Sequence, residues 1–279
     1  MIFKSSTGLL ISLAVQSSGN TKRTALFCIH GFAGSKKEWK FPFPTAMQGF
    51  DIISIDLPGF GESDSPENPD CYTADFTSEL LAEIIESFKY KNNILLGYSM
   101  GGRYALSFAC RFPRKLVGLI IESGSPGIED RKERNKRVLA DELVCSLIQA
   151  GGIETFTDYW LTRSIFKTQQ NLPYETIEWI RNEKLNSSPA GLINSLTVFG
   201  TGAMPHLWND ITNVEIPVML IAGSEDEKYR AIQNIMIDIF PSAKCHIIEA
   251  AGHNTHIEKP EQFAKLIVGF INDLGLVQK

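Results

Sequence analysis

The segment NNILLGYSMGGRYALSFACRF, residues 92–112, joins a short apolar run to a stretch with the pattern of a helix. Between the two, residues 97–101 have the form G-x-S-x-G around Ser99. A tight strand-to-helix turn brings backbone too close for a Cβ at the glycines and exposes the serine hydroxyl. The following helix N-terminus favours developing negative charge. We therefore predict a strand–turn–helix unit with Ser99 as its reactive residue; a plain glycine-rich turn is the alternative.

Short apolar runs bounded by turn residues recur along the chain, as in buried parallel strands. The runs lie at Ala25–Ile29, Ile52–Ile55, Ile94–Leu96, Leu116–Ile121, Pro217–Ala222 and His246–Ile248. Helix-like segments separate most of them, and Thr73–Tyr90 is the clearest because its apolar residues share one face. This alternation predicts an α/β fold with a mostly parallel central sheet flanked by helices on both sides. Residues 1–20 are expected to form a first pair of strands.

The alternation fails between residues 127 and 203, where charged and aromatic helix-like stretches replace strands. We predict a helical cap, 127–203, inserted into a core made of residues 1–126 and 204–279. Loops of catalytic α/β proteins gather at the carboxyl ends of the strands. A cap inserted there would cover the site.

Two further residues complete a Ser-His-Asp set. Asp226 follows the apolar run at 217–222, and His253 follows the run at 246–248. An imidazole is needed to take the serine proton, and a carboxylate to fix the imidazole tautomer. The order Ser99, Asp226, His253 is that of the α/β-hydrolase fold. Asp226 has three alternatives as the acid, and His253 has three as the imidazole: Asp210, Glu225 and Glu227, and His206, His246 and His256.

An oxyanion hole in this fold combines the N–H after the nucleophile with one from the loop after an earlier strand. Here these are the backbone N–H groups of Met100 and Phe32, the latter in His30-Gly31-Phe32. The His30 side chain is expected to brace that loop. The segment DLPGFGES, residues 56–63, is interpreted as a structural turn.

Several motifs outside this set are more specific. They are GYSMGGR (97–103), ESGSPGI (122–128) with the Arg-rich run after it, DYW (158–160), WIRN (179–182), GLINSLTVFGTGAMPHLW (191–208), GSEDEKY (223–229) and AGHNTHIEKP (251–260). Together they resemble the 2-succinyl-6-hydroxy-2,4-cyclohexadiene-1-carboxylate synthases of menaquinone biosynthesis, from about residue 30 to residue 260. The resemblance implies a lyase that eliminates pyruvate from 2-succinyl-5-enolpyruvyl-6-hydroxy-3-cyclohexene-1-carboxylate, with the triad serine as base.

The resemblance also implies a pocket for this small anionic substrate, a tricarboxylate. By motif position, the substrate-binding residues are Arg103, Arg137, Arg181, Tyr98 and Trp160. Arginine suits the task because its planar fork grips a carboxylate through two charge-assisted bonds. A solvated helix face is the alternative for the run containing Arg137, and we expect it to hold for Arg131 and Arg134.

Two other functions stay open. One is a serine hydrolase of carboxylic esters or of vinylogous carbon–carbon bonds, which would use the same triad. The other is a non-catalytic binding protein, which predicts a broken triad, whereas every member is present here. A cation one helical turn behind the serine, Arg103, favours the lyase over a hydrolase of neutral esters.

Composition and residue spacing limit the classes of partner and cofactor that we expect. A net charge of −5 and a pI near 5.6 argue against nucleic-acid binding. The five cysteines are scattered, which favours a reducing, cytoplasmic compartment. The apolar runs are too short for membrane insertion. No metal-ligand, phosphate-loop or dinucleotide spacing occurs, so we expect no cofactor and no metal. A monomer or weak homo-oligomer is expected.

Overall fold

Eight apolar segments form strands in the computed structural model, which describes residues 1–19, 23–45, 47 and 49–276. The strands are β1 (Ile2–Lys4), β2 (Leu10–Gln16), β3 (Thr24–Ile29), β4 (Asp51–Ile55), β5 (Asn92–Tyr98), β6 (Gly118–Glu122), β7 (Val218–Gly223) and β8 (Ala243–Ile248). Within the described residues they make one sheet in the order β1-β2-β4-β3-β5-β6-β7-β8. The pairs β1–β2 and β2–β4 are antiparallel and the other pairs are parallel. The predicted mostly parallel sheet is confirmed.

The register of the parallel strands brings distant loops together. Ile29 at the end of β3 pairs with Gly97 near the end of β5, and Gly223 of β7 pairs with Ile248 of β8. Because parallel strands end at the same edge, the loops after β3, β5, β7 and β8 meet there. Ser99, Asp226 and His253 follow β5, β7 and β8 and so lie at this edge.

Helices cover both faces of the sheet. They are α1 (Ala74–Phe88), α2 (Met100–Arg111), α3 (Arg131–Leu161), α4 (Tyr174–Leu185), α5 (Pro189–Phe199), α6 (Glu227–Ile239), α7 (Thr255–Glu258) and α8 (Pro260–Asp273). Short 3-10 helices lie at Lys36–Lys40, Pro69–Tyr72, Pro113–Lys115, Ser164–Asn171 and Asp210–Asn213. None of the helices in the described ranges has both the length and the apolar character needed to cross a bilayer.

The alternation of side chains along β3 shows how the two layers form. Phe27 and Ile29 belong to the apolar cluster shared with α1 and α2, whereas Leu26 and Cys28 belong to the cluster shared with α8. All four side chains are fully buried. A strand buried on both faces reads as a continuous apolar run, which is why β3 was visible in the sequence.

The turn between β5 and α2 holds Ser99 in an unusual backbone conformation, with φ 50° and ψ −105°. The glycines on either side, Gly97 and Gly101, are required because neighbouring backbone leaves no room for a Cβ. A Cβ on Gly97 would lie 2.3 Å from the carbonyl oxygen of Gly101, and a Cβ on Gly101 would lie 2.4 Å from that of Ile29. Because the obstructing atoms belong to backbone, neither contact can be relieved by moving a side chain.

Between β6 and β7 the described chain forms only helical elements. This helical insertion, residues 131–199, contains α3, α4, α5 and the 3-10 helix Ser164–Asn171. Helix α3 is interrupted at Gly152, whose φ of 70° is not helical. The insertion lies over the carboxyl edge of the sheet, since Trp160 of α3 and Lys184 of α4 line the same cavity as Ser99.

We predict that Gly101→Ala destabilises the protein by about 1–3 kcal/mol or more, because its Cβ would meet the backbone of β3. The matched control is Gly269→Ala on α8, where a Cβ meets nothing within 4 Å. That change should stabilise the protein by about 0.5–1 kcal/mol through helix propensity. Urea unfolding of both variants checks this pair. Equal effects would contradict the constraint assigned to the turn.

Candidate active site

Three of the predicted side chains form one hydrogen-bonded chain. His253 Nε2 lies 2.9 Å from Ser99 Oγ, and His253 Nδ1 lies 2.7 Å from Asp226 Oδ2. Asp226 and His253 are buried, and Ser99 is half-buried. A carboxylate at Nδ1 holds the proton on that nitrogen and leaves Nε2 free to accept the serine proton. The arrangement can therefore raise the basicity of the Ser99 hydroxyl.

Local structure places the acid. Asp226 caps the N-terminus of α6, because its Oδ1 accepts a hydrogen bond from the N–H of Tyr229 at 3.4 Å. Its other oxygen remains for His253. Glu225 and Glu227 line the cavity but are not hydrogen-bonded to His253, and Asp210 is an exposed residue on a separate 3-10 helix. Among the acids considered from the sequence, the structure brings Asp226 to the imidazole.

The other imidazoles lie elsewhere. His246 is in β8, and His206 follows the helical insertion. His256 is fully buried behind the site, where its Nδ1 lies 2.7 Å from Glu122 Oε2. None of these three hydrogen-bonds Ser99 in the described structure.

The loop after β3 faces the serine. Gly31 packs so closely that a Cβ there would lie 2.6 Å from the Tyr98 ring and 3.6 Å from Ser99 Cβ. The next residue, Phe32, lines the cavity together with Ser99. Met100 begins α2, where the first N–H groups have no partner within the helix. Among the described residues, neither Phe32 N–H nor Met100 N–H donates a hydrogen bond. Both are free to meet an oxyanion.

The reactive residues open into a cavity of about 690 Å³ between the sheet edge and the helical insertion. One wall is aromatic: the Trp160 ring lies 5.0 Å from the Phe32 ring and 6.0 Å from that of Phe166. Tyr98, the fourth aromatic residue considered, lines the cavity 5.3 Å from the His253 ring. Trp160 Nε1 is buried without a hydrogen-bond partner in the described chain, so it is a donor available to a ligand.

Arg103 is a buried cation in the wall of the cavity. The residue is only 6% exposed, and its guanidinium donates to the carbonyl oxygen of Phe199 at 2.5 Å. Within the described residues it has no carboxylate at ion-pair distance, although Asp141, the ion-pair partner of Arg137, also attracts it. Burial lowers the pKa of Arg103 to about 10. A buried guanidinium whose nearest carboxylate already pairs with another arginine gains from an anion bound beside it. Arg103 is therefore a candidate anion contact one helical turn behind Ser99.

Arg137 also lines the cavity. Its Nε donates to both carboxylate oxygens of Asp141, at 2.9 and 3.0 Å. This pairing uses the Nε edge of the guanidinium and leaves further N–H groups on its terminal nitrogens. The bonding pattern is compatible with a second anion contact.

Arg181 is not where the motif comparison predicted. It does not line the cavity, and its guanidinium pairs with Asp158 at 2.6 Å. The α4 residues that do line the cavity are Trp179, Ile180, Glu183 and Lys184. These positions share one helix face, and Arg181 lies off it. The cation that α4 presents to the cavity is Lys184.

The sequence contained a signal for this correction. Ile180 is the buried apolar residue of α4, and positions three and four residues later share its face. That rule selects Glu183 and Lys184 rather than Arg181.

The prediction for Arg134 was also wrong. Rather than lying on a solvated face, its guanidinium donates to the carbonyl oxygens of Gly202 and Met204, at 3.1 and 3.3 Å. It fastens α3 to the segment that returns to the core. Arg131 is exposed, as expected. His30 braces its loop, because its Nδ1 bonds the carbonyl oxygen of Gly31 at 2.7 Å.

All five cysteines are unpaired in the structure. In the described ranges, no group of three or more His, Cys, Asp or Glu side chains is placed to hold a metal ion.

The chain is similar to known proteins in both its fold and its sequence. A family profile described as "alpha/beta hydrolase fold" matches residues 24–140. The chain is 37% identical over 264 residues to a Bacillus subtilis protein whose name assigns it provisionally as 2-succinyl-6-hydroxy-2,4-cyclohexadiene-1-carboxylate synthase; the match covers 95% of this chain and 96% of that one. It is 30% identical to the synthase of that name from Salmonella heidelberg, covering 87% of this chain and 91% of the relative.

The fold is also similar to those of two solved structures. MenH from S. aureus superposes with a TM-score of 0.88 at 32% identity, covering 95% of this chain and 98% of that chain. An esterase from Thermogutta terrifontis superposes with a TM-score of 0.82 at 22% identity, covering 98% of each chain. The second likeness concerns the fold alone.

We predict that Asp226→Asn slows the reaction of Ser99 with a fluorophosphonate by roughly 10³-fold or more, because the amide no longer stabilises the required imidazole tautomer. The amide oxygen can still cap α6, so the fold should persist. Asp210→Asn is the matched control and should label at the wild-type rate. Labelling is followed by intact-protein mass spectrometry. Unchanged labelling of Asp226→Asn would show that another group serves His253.

Proposed function

The chain belongs to the 2-succinyl-6-hydroxy-2,4-cyclohexadiene-1-carboxylate synthase family of the α/β-hydrolase fold. From this membership we propose that it is a lyase of menaquinone biosynthesis. Its substrate is 2-succinyl-5-enolpyruvyl-6-hydroxy-3-cyclohexene-1-carboxylate, and its products are 2-succinyl-6-hydroxy-2,4-cyclohexadiene-1-carboxylate and pyruvate. The single observation in the site that carries this choice over ester hydrolysis is the buried side chain of Arg103, which has no carboxylate of the described chain at ion-pair distance.

The reaction is a 1,4-elimination. The C–H bond at ring carbon 2, beside the succinyl ketone, breaks, and its electron pair forms the 2,3 double bond. The former 3,4 double bond moves to position 4,5, and the bond from carbon 5 to the enolpyruvyl oxygen breaks. Protonation of the released enolpyruvate at its methylene carbon gives pyruvate. No water is consumed, and no acyl-enzyme forms.

The hydrogen-bonded chain supplies the base for the first step. His253, oriented by Asp226, takes the hydroxyl proton as Ser99 Oγ removes the substrate proton. Negative charge then develops on the ketone oxygen as the intermediate becomes enolate-like. The N–H groups of Phe32 and Met100 would hold that oxygen, and such preorganised donors are commonly worth about 10²–10³ in rate each.

The cavity matches a substrate with three carboxylates. We assign carboxylate contacts to Arg103, Arg137 and Lys184, each of which lines the cavity from a different helix. Charge-assisted contacts of this kind contribute about 1.5–3 kcal/mol each. The free indole N–H of Trp160 supplies a further donor, and the Tyr98 ring packs beside His253. The substrate would therefore be bound between one cation of the core, Arg103, and two cations of the insertion, Arg137 and Lys184.

We propose that residues 127–203 form a cap domain on a core of residues 1–126 and 204–279. The support is that two of the three assigned cations, Arg137 and Lys184, and the aromatic wall at Trp160 come from the insertion. The core contributes the chemistry, and the cap contributes much of the substrate contact. The unpaired cysteines support placing the enzyme in the reducing cytoplasm.

We predict that the purified protein releases one pyruvate per cyclohexadiene formed from the enolpyruvyl substrate, and that Ser99→Ala abolishes turnover while still binding substrate. Pyruvate is measured with a coupled dehydrogenase, and binding by calorimetry. Circular dichroism confirms that the variant is folded. A folded wild-type protein that releases no pyruvate, but rapidly hydrolyses short p-nitrophenyl esters, would overturn the assignment in favour of a serine hydrolase.

We predict that Lys184→Ala raises KM about tenfold or more, because it removes a charge-assisted contact to a substrate carboxylate. Arg103→Ala should raise KM similarly. The matched control is Arg181→Ala, which loses only a solvent-exposed pair with Asp158 and should keep KM within about twofold. Steady-state kinetics on folded variants decide the matter. A KM that rises for Arg181→Ala but not for Lys184→Ala would restore the motif-based assignment.

A further inference from the structure

A second buried carboxylate lies beside the site but is not part of the hydrogen-bonded chain of Ser99, His253 and Asp226. Glu38, on the 3-10 helix Lys36–Lys40, is 4% exposed and lines the cavity. Its Oε1 accepts a hydrogen bond from the N–H of Gly31 at 3.2 Å. Gly31 directly precedes Phe32, whose N–H is the oxyanion donor contributed by this loop. The carboxylate therefore acts on the loop one residue before the donor.

Gly31 is held at its carbonyl end as well. Leu57 N–H donates to His30 Nε2 at 3.1 Å, so the proton of this imidazole lies on Nδ1. Nδ1 then donates to the Gly31 carbonyl oxygen at 2.7 Å. Because the peptide is planar, fixing this carbonyl fixes the opposite direction of the Phe32 N–H. Glu38 and His30 thus hold the two ends of Gly31.

Packing confines the loop around Gly31 in addition to these hydrogen bonds. A Cβ at this residue would lie 2.6 Å from the Tyr98 ring on one side. At Gly34, three residues on, a Cβ would lie 2.7 Å from Glu38 Oε2. The loop is therefore confined between the Tyr98 ring and the Glu38 carboxylate. Loss of the carboxylate would remove both a hydrogen bond and one wall.

The charge of Glu38 is balanced from two elements. His256 of α7 places its Nε2 3.8 Å from Glu38 Oε1 and is itself paired with Glu122. Lys184 of α4 donates to the Ala33 carbonyl oxygen at 3.4 Å and attracts the same carboxylate. Burial raises the pKa of Glu38 to about 7, and these two cations oppose that rise. An acceptor kept in place by charges on both sides is suited to hold a loop.

We propose that Glu38 is a positioning residue of the oxyanion hole, which sets the Phe32 N–H by holding Gly31. The inference rests on the proposed function only in taking Phe32 N–H as an oxyanion donor. Glu38 acts through the backbone, so its removal should affect the transition state more than ground-state binding at Arg103 and Arg137. A displacement of about 1 Å at such a site can cost about 100-fold in rate.

The test compares wild type, Glu38→Ala and Glu38→Gln. For Glu38→Ala we expect kcat to fall about 100-fold with KM changed less than about threefold. The rate of Ser99 labelling by a fluorophosphonate should fall by a similar factor, since phosphonylation also places charge in the oxyanion hole. Glu38→Gln keeps an oxygen acceptor for Gly31 N–H and should recover most of both rates. If Glu38→Ala does not fold, Glu38→Asp, which withdraws the carboxylate by one methylene, replaces it with the same expectation.

Asp51→Asn is the matched control for losing a buried carboxylate. Asp51 is 5% exposed on β4 and bonds Ser18 and Tyr90 away from the site. It should lower the melting temperature without changing kcat or labelling. Wild-type kcat and labelling in a folded Glu38→Ala, a rise in KM alone, or a Glu38→Gln as slow as Glu38→Ala would each overturn the inference. Slow labelling of Glu38→Ala supports it even if the wild type releases no pyruvate, an outcome that counts against the proposed function alone.

Discussion

The positive φ of Ser99 is the constraint from which the site follows. Such a conformation costs a non-glycine residue about 1–3 kcal/mol and persists only where the surroundings determine it. Here β5 and α2 determine it, and the bare glycine backbones at 97 and 101 permit the close packing. The turn lifts the hydroxyl to the sheet edge where the loops after β3, β7 and β8 also end. The contact of 2.9 Å between Ser99 and His253 depends on that convergence.

Around this turn, buried imidazoles are each paired with a buried carboxylate. Asp226 supports His253, and Glu122 supports His256, with the Tyr98 ring 5.3 and 5.0 Å from the two imidazoles. Burial alone would lower the pKa of His256, but the carboxylates of Glu122, Glu38 and Glu258 together raise that pKa above its ordinary value. Arg103 departs from this pattern because no carboxylate of the described chain lies at ion-pair distance from it, and the acid that attracts it, Asp141, is paired with Arg137. In the proposed function a substrate carboxylate supplies the direct partner that Arg103 lacks.

The sheet, its order of strands and helices, and the three residues of the Ser99 chain could be predicted because each depends on local pattern. Apolar runs gave the buried strands, and glycines gave the turn. The positions of side chains contributed by helices could not be predicted as well. Arg181 and Lys184 differ by less than one helical turn, and only the packed face of α4 distinguishes them. Glu38 carried no motif at all, since its importance comes from a backbone contact with Gly31 that only the folded loop creates.

The central claim is that Ser99 acts as the base of an elimination and not as an acylating nucleophile. The most direct measurement uses substrate carrying deuterium at ring carbon 2, with mass spectrometry of the products and of the intact protein during turnover. If Ser99 is the base, we expect slower turnover of the deuterated substrate, a cyclohexadiene without deuterium, one pyruvate for each diene, and Ser99 at its unmodified mass. Deuterium retained in the ring product, together with an acyl group on Ser99, would contradict it.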